Sequence, residues 1–139
     1  MSEDNKDLVR RLVQGWQHEH RSEVAEELIA GDFVDRSARP GEQGTRADGI
    51  AFLKYMWTAL PDFSVDIKQM IGEGDLVATL KTFSGTHEGE FLGSPPTGRH
   101  VTFEVFDLVR VKDGQVTEHW AVIDMDGLKR QLSQGPAAG

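Results

Sequence analysis

The chain has 139 residues, no cysteine and a formal net charge of −8. This length favours a single domain that buries about two-thirds of its unfolded surface, and the absence of cysteine excludes disulfides and thiolate metal sites. The acidic balance argues against nucleic acid and against an anionic membrane surface as partners, because both attract basic proteins. With no run of roughly 20 apolar residues and no apolar leader, we expect a cytoplasmic protein whose ligand is small.

The first part of the chain predicts three helices and a short strand. We expect helices at residues 4–18, 22–29 and 46 (or 47)–60, a strand at 32–36 and a loop at 37–45. The first helix depends on apolar residues that recur at helical spacing from Leu8 to Trp16. Gly31 and Pro61 are residue types that commonly follow a helix, so they set the ends of the second and third helices.

The rest of the chain predicts hairpins. Phe63, Val65 and Ile67 alternate with polar residues, which is the period of a strand with one buried face. We expect strands at residues 62–72 and 76–85, a loop at 88–99, a hairpin at 100–124, a helix at 125–132 and a frayed tail at 133–139. Helices followed by hairpins indicate the α+β class, with an antiparallel sheet curved around the three N-terminal helices as a conical barrel with an internal pocket. Residues 1–139 are predicted to form one domain with an ordered core at 5–132.

The hairpin contains the strongest functional signal. Its first strand carries apolar residues at alternate positions: Val101, Phe103, Val105, Val109 and Val111. Asp107 stands in the same row, where an aliphatic residue would be expected. A carboxylate on a buried face is unfavourable unless it is paired, hydrogen-bonded or neutralised. This misfit predicts that Asp107 is functional.

The turn of the hairpin decides which residue Asp107 faces. A two-residue turn at 113–114 would place Asp107 opposite Trp120, whereas a three-residue loop at 112–114 would place it opposite His119. A shift of one residue exchanges the two faces of a strand. We favour the second register, because it gives the buried carboxylate a partner that titrates near neutrality.

The favoured register also predicts an apolar outer face on the same hairpin. Its members would be Phe106, Leu108, Trp120 and Val122. Such a patch is larger than a monomer usually exposes. We therefore expect a homodimer that forms through this face.

Six short motifs follow one another along the chain. They are DFVD at residues 32–35, LPDF at 60–63, GTHEG at 85–89, FLGSPPTGR at 91–99, DG at 113–114 and EHW at 118–120. As an ordered set, they resemble the SnoaL-like polyketide cyclases over roughly residues 5–132. The resemblance implies the cone-shaped fold shared with nuclear transport factor 2 and ketosteroid isomerase. It also implies a cofactor-free acid/base enzyme that closes a ring of a polycyclic aromatic polyketide by intramolecular aldol condensation.

Two other functions are compatible with the same resemblance and fold. One is a hydroxylase of an aromatic polyketide, from a related branch of the family. The other is a non-catalytic module that binds a small hydrophobic molecule, since a fold alone does not determine function. An oxygen requirement would indicate the hydroxylase, and binding without turnover would indicate the module.

The resemblance also bears on the candidate catalytic residues. A strand aspartate three residues before an arginine lines the pocket of ketosteroid isomerase, and Asp107 with Arg110 is similar. Cyclases of the family tend to have an acidic residue directly after the His-Trp pair, where this chain has Ala121, and often a histidine where it has Arg36. Asp107 and His119 are therefore predicted to supply the acid/base chemistry together.

The remaining candidates are residues that would line the pocket. The predicted substrate-binding residues are Trp16, Arg36, Trp57, Phe63, His87, Phe91, Phe103 and Val105. Several are aromatic and would offer flat surfaces to a polycyclic ligand. No metal site is expected, because the histidines do not show the close spacing of metal ligands, and the resemblance implies that there is no cofactor.

Overall fold

The computed structural model describes residues 2–136 of the chain. Residue 1 and residues 137–139 lie outside the described part. They are the two ends of the predicted domain, and the second includes the last three residues of the predicted tail. The elements are α1 (Ser2–Leu12), which continues as a π-helical segment (Val13–His18), α2 (Ser22–Leu28), β1 (Ile29–Asp35), α3 (Arg46–Ala59), β2 (Ser64–Glu73), β3 (Leu76–Thr86), β4 (His100–Lys112), β5 (Gln115–Ile123) and α4 (Met125–Leu132). The predicted α+β class is confirmed. No helix within residues 2–136 is both long enough and apolar enough to cross a bilayer.

The five strands form one curved sheet in the order β1-β5-β4-β3-β2. β2 to β5 pair antiparallel, as predicted, but β1 lies parallel to β5. The sheet is therefore mixed and does not close, which corrects the expected antiparallel barrel. Alternation within a strand identifies its buried face. It does not indicate whether a strand distant in sequence will pair with it parallel or antiparallel.

The core lies between the concave face of the sheet and the N-terminal helices. Strands β3 and β4 alternate between buried and less buried residues along most of their length. Their inward side chains pack with apolar residues of α1, the π-helical segment and α3 in one hydrophobic cluster. The row that starts at Val101 and ends at Val111 is buried throughout, including Asp107. The sequence-predicted inward face of this strand is thus the observed one.

The hairpin register differs from both predicted registers. Asp113 and Gly114 form a two-residue turn with positive φ at both positions, 52° and 74°, as in a type I′ turn. Beyond the turn, the pairing shifts between Val111 and Arg110, because β5 contains one extra residue, Thr117, at that point. This irregularity is a β-bulge, and it changes which residues face each other in the rest of the ladder.

The bulge determines the partner of Asp107. Its ladder partner is Ala121, so the predicted pairing with His119 is wrong, and the alternative pairing with Trp120 is also absent. His119 instead lies opposite Val109, on the same face as Asp107 and diagonal to it. Diagonal neighbours on one face are within reach of long side chains. The two predicted catalytic residues therefore meet by a different register from the one we favoured.

The end of the first helix departs from the predicted continuous helix. Residues Val13–His18 form a π-helical segment that includes Gly15. A Cβ at Gly15 would lie 3.0 Å from a methyl group of Val24, so glycine permits close packing of α2. The segment supplies Trp16 and Gln17 to a cavity between the sheet and the helices. Widened helical turns of this kind occur frequently at functional sites.

Candidate active site

An internal cavity lies between the concave face of the sheet and the N-terminal helices. It has an inner volume of about 140 Å³, and about 870 Å³ of empty space when its open mouth is included. Its lining is mostly apolar, with Val9, Leu12, Val13, Trp16, Phe33, Phe52, Met56, Phe83 and Val105 among the members. A few polar side chains reach into it, namely Gln17, Asp35, Arg46, Lys81, Asp107 and His119. An apolar cavity with few polar groups is the usual form of a small-molecule site.

Four ionisable side chains form a row along this cavity, with alternating charge. Lys81 Nζ lies 2.6 Å from Asp107 Oδ2, and His119 Nε2 lies 3.8 Å from the same oxygen. His119 Nδ1 lies 3.2 Å from Asp35 Oδ1. Side-chain exposure rises along the row from 2% at Lys81 and 7% at Asp107 to 26% at His119 and 27% at Asp35. The row therefore runs from the floor of the cavity towards its mouth.

The order of the strands explains the order of the charges. Asp35, His119, Asp107 and Lys81 come from β1, β5, β4 and β3, which are successive neighbours in the sheet. Asp35 is the direct ladder partner of His119. All four face the same side, because each occupies an inward position of its strand. The row thus depends on the β1–β5 pairing and on the bulge in β5.

The contacts of His119 fix the orientation of its ring. Nδ1 donates a hydrogen bond to Asp35, whose Oδ1 also accepts one from the backbone N–H of Ser37 at 2.9 Å. The other ring nitrogen, Nε2, is thereby directed towards Asp107. The distance of 3.8 Å between Nε2 and Asp107 Oδ2 is that of an ion pair and is too long for a hydrogen bond. Nε2 is therefore able to donate to a ligand in the cavity.

The surroundings of His119 determine its protonation. Burial lowers the pKa of His119, but Asp107 and Asp35 outweigh burial and raise that pKa from 6.5 to about 8. Burial raises the pKa of Asp107, but the charge of Lys81 and the adjacent His119 bring it below the usual value. The pKa of Asp35 is also lowered, because His119 and the Ser37 N–H outweigh its burial. At neutral pH the cavity therefore holds an imidazolium between two carboxylates.

Two of the predicted substrate-binding residues line the cavity. Trp16 and Val105 belong to its wall, beside Asp107 and His119. Phe63, Phe91 and Phe103 are buried in the core but are not part of the lining. Their aromatic character reflects packing, since Phe83 contacts both Phe63 and Phe103 edge to face at 5.0 and 5.6 Å between ring centroids.

The other three predicted substrate-binding residues also lie away from the cavity wall. Trp57 stacks on His20 with 4.6 Å between the ring centroids. His87 is fully buried beneath the 88–99 loop, and its Nδ1 lies 3.0 Å from Thr97 Oγ1. Arg36 forms a surface ion pair with Glu118 at 2.9 Å. None of the three contributes to the cavity lining.

Two members of the charged row were missed by sequence reasoning. Lys81 occupies an inward position of β3 between Thr79 and Phe83, so it interrupts an inward row as Asp107 does. The same search for a charge on a buried face could have found it. Asp35 was noted only as part of a motif. It reaches the site because β1 pairs with β5, which no local pattern predicts.

The absence of an acidic residue at position 121 is offset by a carboxylate on the neighbouring strand. The resemblance leads one to expect an acid at this position, and Ala121 lines the cavity directly across the ladder from Asp107. Directly opposed side chains have Cβ atoms about 5 Å apart. Asp107 therefore provides, from β4, a carboxylate in the region that an acid at position 121 would reach.

Fold and cavity together define a cone-shaped α+β domain with a ligand pocket between helices and sheet. The family model of the SnoaL-like polyketide cyclases matches residues 6–132, and the chain belongs to that family. It is 29% identical over 133 residues to the aklanonic acid methyl ester cyclase DnrD of Streptomyces peucetius, covering 92% of this chain and 90% of that protein. It is 27% identical over 116 residues to the nogalonic acid methyl ester cyclase of Streptomyces nogalater, covering 81% and 85%.

Solved structures show the same architecture. AclR of Streptomyces galilaeus, a proposed hydroxylase, superimposes with a TM-score of 0.86 at 29% identity, covering all of this chain and 87% of that chain. IdmH of Streptomyces antibioticus, a proposed polyketide cyclase, gives a TM-score of 0.80 at 30% identity, covering 92% and 97%. Similar proteins thus include cyclases and a proposed hydroxylase.

Proposed function

We propose that the protein closes a ring of a polycyclic aromatic polyketide by an intramolecular aldol reaction. The observation that carries this proposal is an ionised carboxylate, Asp107, beside an imidazolium, His119, in an apolar cavity. An aldol reaction needs a base for a C–H proton and an acid for the developing alkoxide. Both groups are present at adjacent positions, and relatives that act on methyl esters of aklanonic and nogalonic acid support the substrate class.

The protonation states assign a role to each of the two residues. Asp107 accepts a proton from the carbon next to a substrate carbonyl and leaves an enolate. The enolate carbon attacks a second carbonyl of the same molecule, so that one C–C bond forms and an alkoxide appears. His119 gives that alkoxide a proton from Nε2, while Asp35 holds the ring in place. Transfer of the proton from Asp107 to Nε2 of His119 then restores both groups. The product is an isomer of the substrate, and the reaction is redox-neutral and requires no cofactor.

The cavity wall suits a flat substrate. Trp16, Phe33 and Phe52 present aromatic surfaces, and Val105 presents an aliphatic one. The cavity volume of about 140 Å³ is smaller than the roughly 300–1,000 Å³ of typical small-molecule sites, so part of the polyketide would extend through the open mouth. We propose that these four residues hold the rings of the polyketide against the charged row.

Turnover of a defined substrate tests this function. The purified protein should convert aklanonic acid methyl ester or nogalonic acid methyl ester, under strictly anaerobic conditions, to a product of unchanged mass with one additional ring. Liquid chromatography with mass spectrometry measures this conversion. Absence of any product from either ester, with the folded protein in excess, would contradict a cyclase for this substrate class.

A hydroxylase is the second candidate, and the similarity to AclR favours it specifically. A hydroxylase would add one oxygen atom from O₂ and would consume reducing equivalents, from the substrate or from an added reductant. The same assay in air separates the two functions. A product that gains one oxygen atom, and that is absent without O₂, would replace the cyclase proposal.

We propose that the protein is a homodimer through the outer face of β4 and β5. Phe106 and Val122 form a cross-strand pair on this face and are 54% and 74% exposed. The adjacent pair, Leu108 and Trp120, is partly buried. Exposed apolar patches of this type commonly mark protein interfaces. The acidic charge disfavours nucleic acid and anionic membranes as partners.

Light scattering checks the dimer. The protein should have twice the mass of one chain at micromolar concentration, and Val122→Glu should halve it by placing a charge in the contact. Ile71→Glu, which places the same charge on an apolar residue of β2 that is 61% exposed, is the matched control and should leave the mass unchanged. A wild-type monomer at high micromolar concentration would contradict the proposal.

A further inference from the structure

Lys81 is the most buried of the charged side chains in the cavity. It is 2% exposed, whereas lysine is rarely buried in proteins unless it is paired. Its ammonium contacts Asp107 Oδ2 at 2.6 Å and donates to Gln17 Oε1 at 3.1 Å. The chain thus places a lysine on the floor of an apolar cavity, at considerable cost in desolvation. The acid/base steps assigned to Asp107 and His119 do not use it.

The hydrogen-bonding capacity of this ammonium is incompletely used. A lysine ammonium has three N–H donors, and within residues 2–136 it has the two partners just named. The ring of Phe83 lies on another side, with its centroid 5.2 Å from Nζ. One N–H is therefore available to a molecule that enters the cavity.

We propose that Lys81 is a catalytic residue that donates this N–H to the substrate carbonyl oxygen that becomes the enolate. Asp107 removes the proton from the carbon beside that carbonyl, so the oxygen that gains charge lies near the carboxylate and hence near Lys81. A fixed cation in a site of low polarity stabilises an oxyanion more strongly than water does. The inference rests on the proposed acid/base function and assigns its oxyanion donor.

The contact with Asp107 argues for a donor and against a nucleophile. A lysine that forms a Schiff base with a carbonyl must first lose its proton. Nζ of Lys81 lies between two hydrogen-bond acceptors, Asp107 Oδ2 at 2.6 Å and Gln17 Oε1 at 3.1 Å, so its N–H bonds, and not a lone pair, are directed at its neighbours. Lys81 is thus suited to hydrogen bonding, and the covalent role becomes an outcome that the experiment can detect.

Alizarin, a flat three-ring phenol, tests the donor without any turnover. Its phenolate resembles an enolate in charge, and its colour reports ionisation. Spectrophotometric titration in excess protein should show the bound phenol ionising about 10- to 100-fold more readily than free alizarin, as expected for a charge-assisted hydrogen bond. Lys81→Met should remove this shift. Lys68→Met is the matched control, because it removes an exposed strand lysine that pairs with Asp66 at 3.0 Å, and it should keep the shift.

A second pair of variants controls for misfolding caused by an unpaired buried carboxylate. Lys81→Met alone leaves the Asp107 carboxylate without its nearest cation, so the comparison is repeated in an Asp107→Asn background. In Asp107→Asn the bound phenolate becomes the anionic partner of the Lys81 ammonium, so this variant should keep the alizarin shift, whereas Asp107→Asn with Lys81→Met should lose it. Neither variant of this pair contains an unpaired buried carboxylate at position 107.

Several outcomes would overturn the proposal. It fails if wild-type protein does not bind alizarin, or if the shift persists without Lys81 and disappears in His119→Gln. It also fails if borohydride traps a covalent adduct between Lys81 and a carbonyl substrate. A normal alizarin shift in a protein that cyclises neither methyl ester would overturn the proposed function and leave the donor role of Lys81 standing.

Discussion

Replacing Asp107 by asparagine is expected to lower kcat about 100- to 10,000-fold, the usual contribution of a general acid or base. Asparagine keeps the shape of the side chain and one oxygen for Lys81, but it cannot accept the substrate proton. Because Asp107 is buried between Lys81 and His119, no solvent group replaces it at that position. Rates of cyclisation at saturating substrate, with circular dichroism to verify folding, measure the effect.

A matched aspartate separates this effect from a general loss of charge. Asp66 lies on β2, is 69% exposed and pairs with a lysine, so Asp66→Asn should leave kcat unchanged. If Asp107→Asn retains more than about a tenth of the wild-type kcat, well above the loss expected for a lost base, then Asp107 is structural. The acid/base role would then have to belong to another cavity residue.

His119 should depend on Asp107 in the kinetics. Removing either member of a pair that acts together typically costs nearly as much as removing both. The double variant Asp107→Asn with His119→Ala should therefore be only slightly slower than either single variant. Additive losses would indicate that the two residues do not act as a coupled pair.

The local signals of the sequence predicted the elements well because they depend on nearby residues. Helical spacing and Pro61 placed the third helix at almost its observed bounds, and alternation identified the buried row of β4. The position of Asp107 in that row indicates a functional site from the sequence alone. Each of these inferences needs only the period of the element and the cost of burying a charge.

The contacts between distant strands were not predictable in the same way. Thr117 bulges from β5 and shifts the register by one residue, although the turn at 113–114 gives no sign of it. Asp35 enters the site by parallel pairing across more than eighty positions of sequence, since it contacts His119. Phe63 and Phe91, predicted to bind substrate, are buried in the core and lie outside the cavity lining. Their size and apolarity fit a pocket wall and a core equally well, and only packing distinguishes the two.

The stability of the protein should fall as pH rises through the pKa of His119. The folded-state pKa is raised from 6.5 to about 8, so folding is favoured by the protonated form. This contribution is fully present below pH 6.5 and is lost as the pH rises to about 8. A difference of that size corresponds to about 2 kcal/mol in the free energy of unfolding. Asp35 and Asp107 have lowered pKa values and stay ionised throughout this range.

Urea denaturation at pH 6 and pH 9 measures this contribution. Between pH 6 and pH 9, the free energy of unfolding of the wild type should fall by about 2 kcal/mol more than that of His119→Gln, which has no imidazole to titrate. His100→Gln, an exposed histidine at the start of β4, is the control and should behave like the wild type. Equal pH dependence in the wild type and His119→Gln would mean that the ring is not held as an imidazolium between two carboxylates. His119 would then not be the acid, because a neutral imidazole keeps its one proton on Nδ1, towards Asp35, and has none on Nε2 to give the alkoxide.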